Sequence, residues 1–145
     1  MRIILVAVAL AIASPANAQS DDGILSSATG GNVRGSIKNG NIAKVSSTGQ
    51  SNARSEVASL LALDKIALLA KTSGFTRFAV VKQSCGTATM SGVTLYHQCK
   101  AEAQLLRAID SDDAVKPKGA NPVTYFDVES TIHRIESSAY KLRRY

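Results

Sequence analysis

The chain has 145 residues, 45% of them hydrophobic, and a formal net charge of +6 at pH 7. This length supports one domain with one core rather than several. Lysine and arginine are scattered along the sequence rather than clustered, and the absence of tryptophan argues against a sugar-stacking platform.

Residues 1–18 have the pattern of an export signal. Arg2 supplies a positive start, and residues 3–13 form an apolar run that is too short to span a bilayer. The segment ends in Ala-x-Ala at Ala18, the small-residue pattern after which signal peptidase cleaves. Cleavage after Ala18 predicts a periplasmic or secreted protein. Because no cysteine stands at the cut, the sequence predicts no lipid anchor.

A flexible N-terminal segment and then a hairpin are predicted after residue 18. Residues 19–31 are polar and rich in glycine and serine, which is typical of a flexible segment. Asn39-Gly40 is the strongest short signal for a hairpin turn. A two-residue turn at this point places Ile37 opposite Ile42 and predicts a short, polar hairpin at the edge of a sheet.

One long helix is predicted to organise the rest of the domain. Asn52 suits the N-cap, residues 53–73 contain neither proline nor glycine, and Gly74 suits the left-handed position that ends many helices. One face of this helix is apolar and is predicted to pack on a sheet. The opposite face carries the charges, including Asp64 and Lys65.

Three further apolar residues of the helix, Val57, Leu61 and Leu68, lie among those charges. They make the apolar stripe wider than one sheet contact needs. Either the stems of lysine and arginine or an N-terminal segment cover them, or they form a surface for self-association or for a protein partner. If a partner binds the helix, we predict that it binds at these three residues.

After the helix, residues 75–81 are rich in aromatic and β-branched residues and predict a strand. Residues 83–90 and 93–105 predict a hairpin around Ser91-Gly92, because the second segment alternates between apolar and polar residues.

The two cysteines, Cys85 and Cys99, predict one disulfide bond in an exported protein. A three-residue loop over residues 91–93 would place them directly opposite each other in the hairpin. A two-residue Ser-Gly turn would shift the register by one, and a bulge at Gly86 would absorb the difference.

The C-terminal third is the most ambiguous part of the sequence. Residues 110–122 predict a loop, and the β-branched content of residues 123–135 favours a strand, with a helix capped by Asp127 as the alternative. Residues 137–145 predict a solvated basic tail. Together these patterns predict an α+β domain over residues 32–136, with a small antiparallel sheet of about four to five strands packed by one long helix.

One run of this sequence resembles a group of small proteobacterial envelope proteins of unassigned activity, many of which are lipoproteins. The run is Ala67-x-x-Ala70-x-x-x-Gly74-Phe75-Thr76-x-Phe78-x-Val80-Val81. In those proteins a helix ends in a Gly-aromatic-x-x-Phe-x-Val strand and a final strand follows, for which residues 123–135 would be the counterpart. The resemblance implies an envelope location and supplies no catalytic residues, and this chain lacks the lipidated cysteine.

Few residues offer acid–base or metal chemistry. Only His97 and His133 are bases near neutral pH, and His97 lies on a strand face typical of a hydrogen-bonded core or rim histidine. His97 and Cys99 supply at most two metal ligands, fewer than zinc requires.

Ser138 and Lys141 match Ser-x-x-Lys, but the companion motifs of penicillin-recognising enzymes are missing.

An acidic turn holds Asp110, Asp112 and Asp113. It lacks the glycine and the distal glutamate of a calcium-binding loop, so it predicts a solvated turn rather than a cation site.

The sequence therefore predicts no catalytic residue, metal or cofactor, and favours a non-enzymatic binding or envelope-associated module with a weak attraction to anionic envelope surfaces. One alternative is a small periplasmic hydrolase-like enzyme that uses His97 or His133 with a carboxylate. Another is an exported inhibitor whose disulfide hairpin is the contact loop. Neither nucleic acid nor a stable membrane anchor is expected.

Overall fold

The computed structural model describes the chain from residue 24 to residue 142. The predicted signal peptide (residues 1–18) and the last three residues of the predicted tail (143–145) lie outside the described residues. The elements, in chain order, are α1 (Ile24–Thr29), β1 (Asn32–Lys38), β2 (Ile42–Gln50), α2 (Glu56–Thr72), β3 (Arg77–Met90), β4 (Val93–Leu106), a 3-10 turn (Asp112–Ala114), β5 (Thr124–Asp127) and α3 (Val128–Leu142).

The strands form one antiparallel five-stranded sheet in the order β1-β2-β4-β3-β5. This confirms the predicted α+β class and the small antiparallel sheet. β4 is the central strand, because β2 pairs with one of its edges and β3 with the other. The predicted hairpin of residues 33–45 supplies one sheet edge through β1 alone, since β2 is an inner strand.

The prediction of one packing helix is wrong, because α3 packs against α2 and α1 packs against α3. Residues 24–29, which the sequence placed in a flexible segment, form α1, and Leu25 is fully buried. α3 continues to Leu142 through most of the predicted tail, and Ala139 is fully buried. The helical layer on one face of the sheet therefore has three members.

The helix α2 starts later than the sequence predicted, whereas its end at Gly74 is as predicted. The helix begins at Glu56 with Ser55 as its N-cap, because the chain makes a turn over residues 50–53 that keeps Asn52 outside the helix. At the other end, Gly74 has φ +79° and Phe75 donates its N–H to Ala70 O. This is the Schellman arrangement, which glycine adopts at little steric cost.

The strand prediction over residues 123–135 is wrong beyond Asp127. Only Thr124–Asp127 pair with β3, and the chain then turns directly into α3. Asp127 Oδ1 accepts the N–H of Ser130 at 2.8 Å, so Asp127 caps the helix as the alternative interpretation had it. The same hydrogen bond lowers the pKa of the Asp127 carboxyl.

The β3–β4 hairpin combines both of the predicted registers. Ser91 (φ 51°) and Gly92 (φ 77°) form a two-residue turn in which Met90 pairs with Val93. Cys85 nevertheless lies opposite Cys99, because the register shifts between Ala88 and Thr89 and not at Gly86. A second shift lies between Val80 and Lys82. These two bulges bracket the paired cysteines.

The β1–β2 hairpin has a longer turn than the sequence predicted. Lys38 pairs with Ile42, so three residues lie in the turn and Ile37 is opposite Ala43 rather than Ile42. Asn39 and Gly40 both have positive φ, as the Asn-Gly signal indicated.

The core lies between the sheet and the helical layer. α2 is buried on most of its circumference, including the charged Asp64 and Lys65, which are 6% and 5% exposed. Phe78 on β3 is fully buried and its ring stacks on Phe126 of β5 at a centroid distance of 5.1 Å. Thus Asp64 and Lys65, which the sequence assigned to solvent, are buried, and α3 packs against this helix.

A close contact between β1 and β2 leads to a stability prediction. A Cβ added at Gly35 would lie 2.6 Å from Val45 Cγ2 and 3.2 Å from Lys44 O. We therefore expect Gly35→Ala to lower the free energy of unfolding by about 1–3 kcal/mol, the usual cost of overpacking. Urea unfolding measures this value. Gly86→Ala is the matched control, because a Cβ there meets nothing within 4 Å, and an equal loss in both variants would contradict the packing argument.

Candidate functional site

The face of the sheet opposite the helices carries an open groove of about 760 Å³. Its lining comes from the four strands β1, β2, β4 and β3. The loop after β4 closes the β5 end of this face, where Val115 packs against the buried residues Ala79, Val81 and Leu106. What remains open is a polar surface that we call the basic face, defined by Arg34, Ser36, Lys44, Ser46, Lys82, Ser84, Lys100 and Glu102.

Strand alternation explains why polar residues collect on this face. In β2, Ala43 and Val45 are buried against the helices, so Lys44 between them points to the other side of the sheet. In β4, Ala101 and Ala103 are buried in the same way, with Lys100 on the opposite face. The hydrophobic pattern that builds the core therefore also builds the basic face.

The strand registers arrange these side chains in two neighbouring rows across the sheet. The first row reads Arg34, Ser46, Lys100, Ser84, and the second reads Ser36, Lys44, Glu102, Lys82. Adjacent strands are about 4.8 Å apart, so each row spans roughly 14 Å. Cationic side chains and hydroxyl groups alternate along the first row, so Lys100 has a serine on each side and Arg34 has one beside it.

Most of the positive charge on this face is not neutralised. Lys44 Nζ lies 3.9 Å from Glu102 Oε2, and Lys118 from the loop donates a hydrogen bond to Glu102 Oε1. Arg34, Lys82 and Lys100 form no ion pair with any side chain that the structure describes. With four cations and one carboxylate in its lining, the groove has a net charge of +3.

This chemistry suits anionic oxygen atoms. Arginine, lysine and serine donors bind phosphate, sulfate and carboxylate oxygens, and charge-assisted hydrogen bonds are the stronger kind. Among the described residues, no aromatic side chain lines the groove, whereas proteins that bind single-stranded nucleic acid combine cations with aromatic side chains on which bases stack. The basic face is therefore suited to the charged groups of a ligand.

The predicted disulfide is confirmed. Cys85 and Cys99 are bonded, with Cα atoms 4.1 Å apart across the β3–β4 hairpin. Cys99 is fully buried and Cys85 is exposed, so the bond lies at the boundary between the core and the free part of the hairpin. Gln83 Nε2 lies 3.5 Å from Cys85 Sγ and 3.4 Å from Cys99 Sγ.

The residues predicted as a partner surface on α2 lie largely inside the protein. Val57 and Leu61 are 3% and 1% exposed, and Leu68 is half-buried against the core. A Cβ at Gly31 would overlap Leu61 Cδ1, so the segment after α1 reaches Leu61. For Leu61, this matches the interpretation in which an N-terminal segment covers the helix. Partner binding through α2 stays a prediction, and Leu68 is the one residue of the three with exposed surface.

Within the described residues, neither histidine forms a hydrogen bond or an ion pair with a carboxylate. His97 Nδ1 lies 2.9 Å from Thr87 Oγ1 at the rim of the hairpin, and His133 is exposed on α3. Within the described residues there is no group of three or more His, Cys, Asp or Glu side chains that would hold a metal ion. His97 is thus a hydrogen-bonded histidine at the rim of the hairpin.

The acidic turn has a structural role. Arg77 donates to Asp112 Oδ1 at 2.8 Å and to the carbonyl of Asp110 at 2.9 Å. The carboxylate of Asp110 accepts the N–H of Arg107 at 2.6 Å. These contacts fix the loop to β3 and the end of β4.

Sequence reasoning missed the basic face because its cations are spread from residue 34 to residue 100 and no two are close in the chain. The available signal was the alternation within each strand, which places Arg34, Lys44 and Lys100 opposite the apolar positions. Pairing the strands in their correct order was the missing step.

Comparison with protein-family models, with curated proteins and with solved structures finds no match to this chain. Among the helices of the described part, none has the length and apolar character needed to cross a membrane. The basic face is therefore the feature of this protein from which a function can be inferred.

Proposed function

We propose that this protein is a small, exported, non-enzymatic binding module that holds an anionic ligand on the basic face. The observation that carries the proposal is the row of Arg34, Ser46, Lys100 and Ser84 across four strands, with both cations unpaired among the described residues. The export pattern of residues 1–18 supports an envelope or extracellular setting, where phosphate-bearing polymers and lipids are abundant.

The shape of the groove favours an extended ligand with several charges. The groove is open along its length, and its cations belong to different strands. A small ion would contact one or two of them, whereas a polymer of phosphate groups reaches both rows together. Such binding weakens as salt rises, because surface charges are screened over about 8 Å at physiological ionic strength.

Binding is favoured over hydrolysis by the placement of the titratable groups. Glu102 is the one carboxylate that the described part of the chain places in the groove, and it is already shared by Lys44 and Lys118. A general base must reach the proton that it removes, with a pKa near the working pH. Neither histidine lines the groove.

The test uses inorganic polyphosphate as the probe. We expect the double variant Arg34→Gln/Lys100→Gln to bind polyphosphate about tenfold more weakly than the wild type, because each exposed ion contact contributes up to about 1 kcal/mol. Isothermal titration calorimetry at two salt concentrations measures both the affinity and its salt dependence.

The control removes the same number of charges from the helical side of the protein. Arg54→Gln/Lys71→Gln removes cations that pair with Glu56 and Glu129. This variant should bind polyphosphate within about twofold of the wild type, since only the general charge falls. Equal weakening in the two variants would show that net charge alone attracts the polymer, and the proposal would fail.

A further inference from the structure

The β3–β4 hairpin extends beyond the rest of the sheet and ends in an apolar tip. The pairing of β2 with β4 stops at Gln50 and Tyr96, so residues 89–95 pair only with each other. Within the described residues, six large hydrophobic side chains are exposed, and four of them belong to this tip: Met90, Val93, Leu95 and Tyr96. A cluster of this kind marks a contact surface more often than isolated exposed residues do.

The register places the tip on the same side of the sheet as the basic face. Along β3, Met90 is an even number of residues from Lys82 and Ser84 and therefore lies on the same face of the sheet. Val93 lies directly opposite Met90. Tyr96 in turn lies opposite Ala88, which belongs to the same series. One surface therefore runs from the cations to the exposed apolar side chains.

The charge pattern of the hairpin indicates what this surface meets. Residues 82–100 contain no aspartate or glutamate, and Lys82 and Lys100 stand at their two ends. Because the tip has no carboxylates, it carries no negative charge that a negatively charged interface would repel. Tyr96 has the amphipathic side chain that is enriched where lipid meets water.

We infer that the basic face and the hairpin tip together dock on the surface of an anionic phospholipid bilayer. This inference rests on the proposed function and names the ligand groups as the phosphates of lipid headgroups. Met90, Val93 and Tyr96 enter the interface while Arg34, Lys82 and Lys100 contact the phosphates. Neither contribution alone gives stable membrane association, since peripheral binding generally takes an apolar and an electrostatic component together.

A single tryptophan reports on the tip, because the chain contains none. The probes are vesicles of phosphatidylglycerol and phosphatidylcholine in equal parts, and vesicles of phosphatidylcholine alone. We expect the emission of Val93→Trp to shift to shorter wavelength with the anionic vesicles and not with the neutral ones. Ile109→Trp is the matched control, since Ile109 is 91% exposed but lies away from the tip, and its emission should not change.

Co-sedimentation with the same vesicles separates this inference from the proposed function. Met90→Ser/Val93→Ser should bind anionic vesicles about tenfold more weakly, a loss of about 1.4 kcal/mol, and should keep wild-type affinity for polyphosphate and a wild-type urea midpoint.

Unchanged vesicle binding by this variant would overturn the inference and leave the proposed function intact. Unchanged polyphosphate binding by Arg34→Gln/Lys100→Gln would overturn the proposed function. A blue shift of Val93→Trp that depends on protein concentration without lipid would assign the tip to self-association and overturn the inference.

Discussion

Replacing Asp64 by asparagine should stabilise the protein by up to about 3 kcal/mol above pH 6. Asp64 lies on α2 and is 6% exposed. The pKa of its carboxyl is raised from 3.8 to about 6, chiefly by burial and also by the charge of Glu136 on α3, while the charge of Lys65 acts in the opposite direction. A folded state with the higher pKa binds the proton more tightly than the unfolded chain does. The contribution of Asp64 to stability is therefore greatest at low pH and is lost as the pH rises from 3.8 to about 6.

The measurement is urea unfolding of the wild type and of Asp64→Asn across that pH range. The difference between the two curves isolates Asp64 from the other carboxyl groups, some of which act with the opposite sign, as Asp127 does. Glu136→Gln should produce a smaller change in the same direction. A difference that is constant with pH, or a wild type whose advantage grows as Asp64 ionises, would contradict this account.

Removal of the disulfide should lower the free energy of unfolding by about 3 kcal/mol. The bond joins Cys85 to Cys99, with a sequence separation of 14. Closing a loop of about 15 residues restricts the unfolded chain by that amount in the chain-entropy account. The variant to measure is Cys85→Ala/Cys99→Ala, with the free energy taken from urea unfolding.

Reducing agent supplies the control for the disulfide. It should lower the urea midpoint of the wild type toward that of Cys85→Ala/Cys99→Ala and leave the double variant unchanged. A wild-type midpoint that does not respond to full reduction, confirmed by thiol titration, would show that the bond adds no stability.

Those parts of the fold that depend on local chemistry were predictable. Gly74 ends α2 because a left-handed residue is needed there, and glycine accepts it without steric cost. Ser91-Gly92 turns the β3–β4 hairpin for a related reason. The cysteine pair followed from the predicted export and from the lengths of the two strands. The two turn signals lie within a few residues of the features they determine.

The remaining features depend on contacts between distant segments. Residues 128–135 fit both a strand and a helix. Asp127 was a local signal for the helix as its cap, but the packing of α3 on α2 joins distant segments and has no local signal. Asp64 and Lys65 were assigned to solvent because the sequence showed one helix, whereas both are buried and α3 packs against this helix. The candidate site shows the same limit, since Arg34 and Lys100 become neighbours only through β2.

The central place of β4 also determines when the sheet can be completed. Ile42 pairs with Gln104, so the sheet cannot form beyond β1 and β2 until β4 has been synthesised, well after α2. At about 5–20 residues per second, this wait lasts on the order of several seconds. During that time the apolar side of α2 has no sheet to cover it, and the nascent chain is exposed to aggregation. We expect the local β3–β4 hairpin to close first and then to recruit the N-terminal strands, because short-range pairing has the smaller entropic barrier.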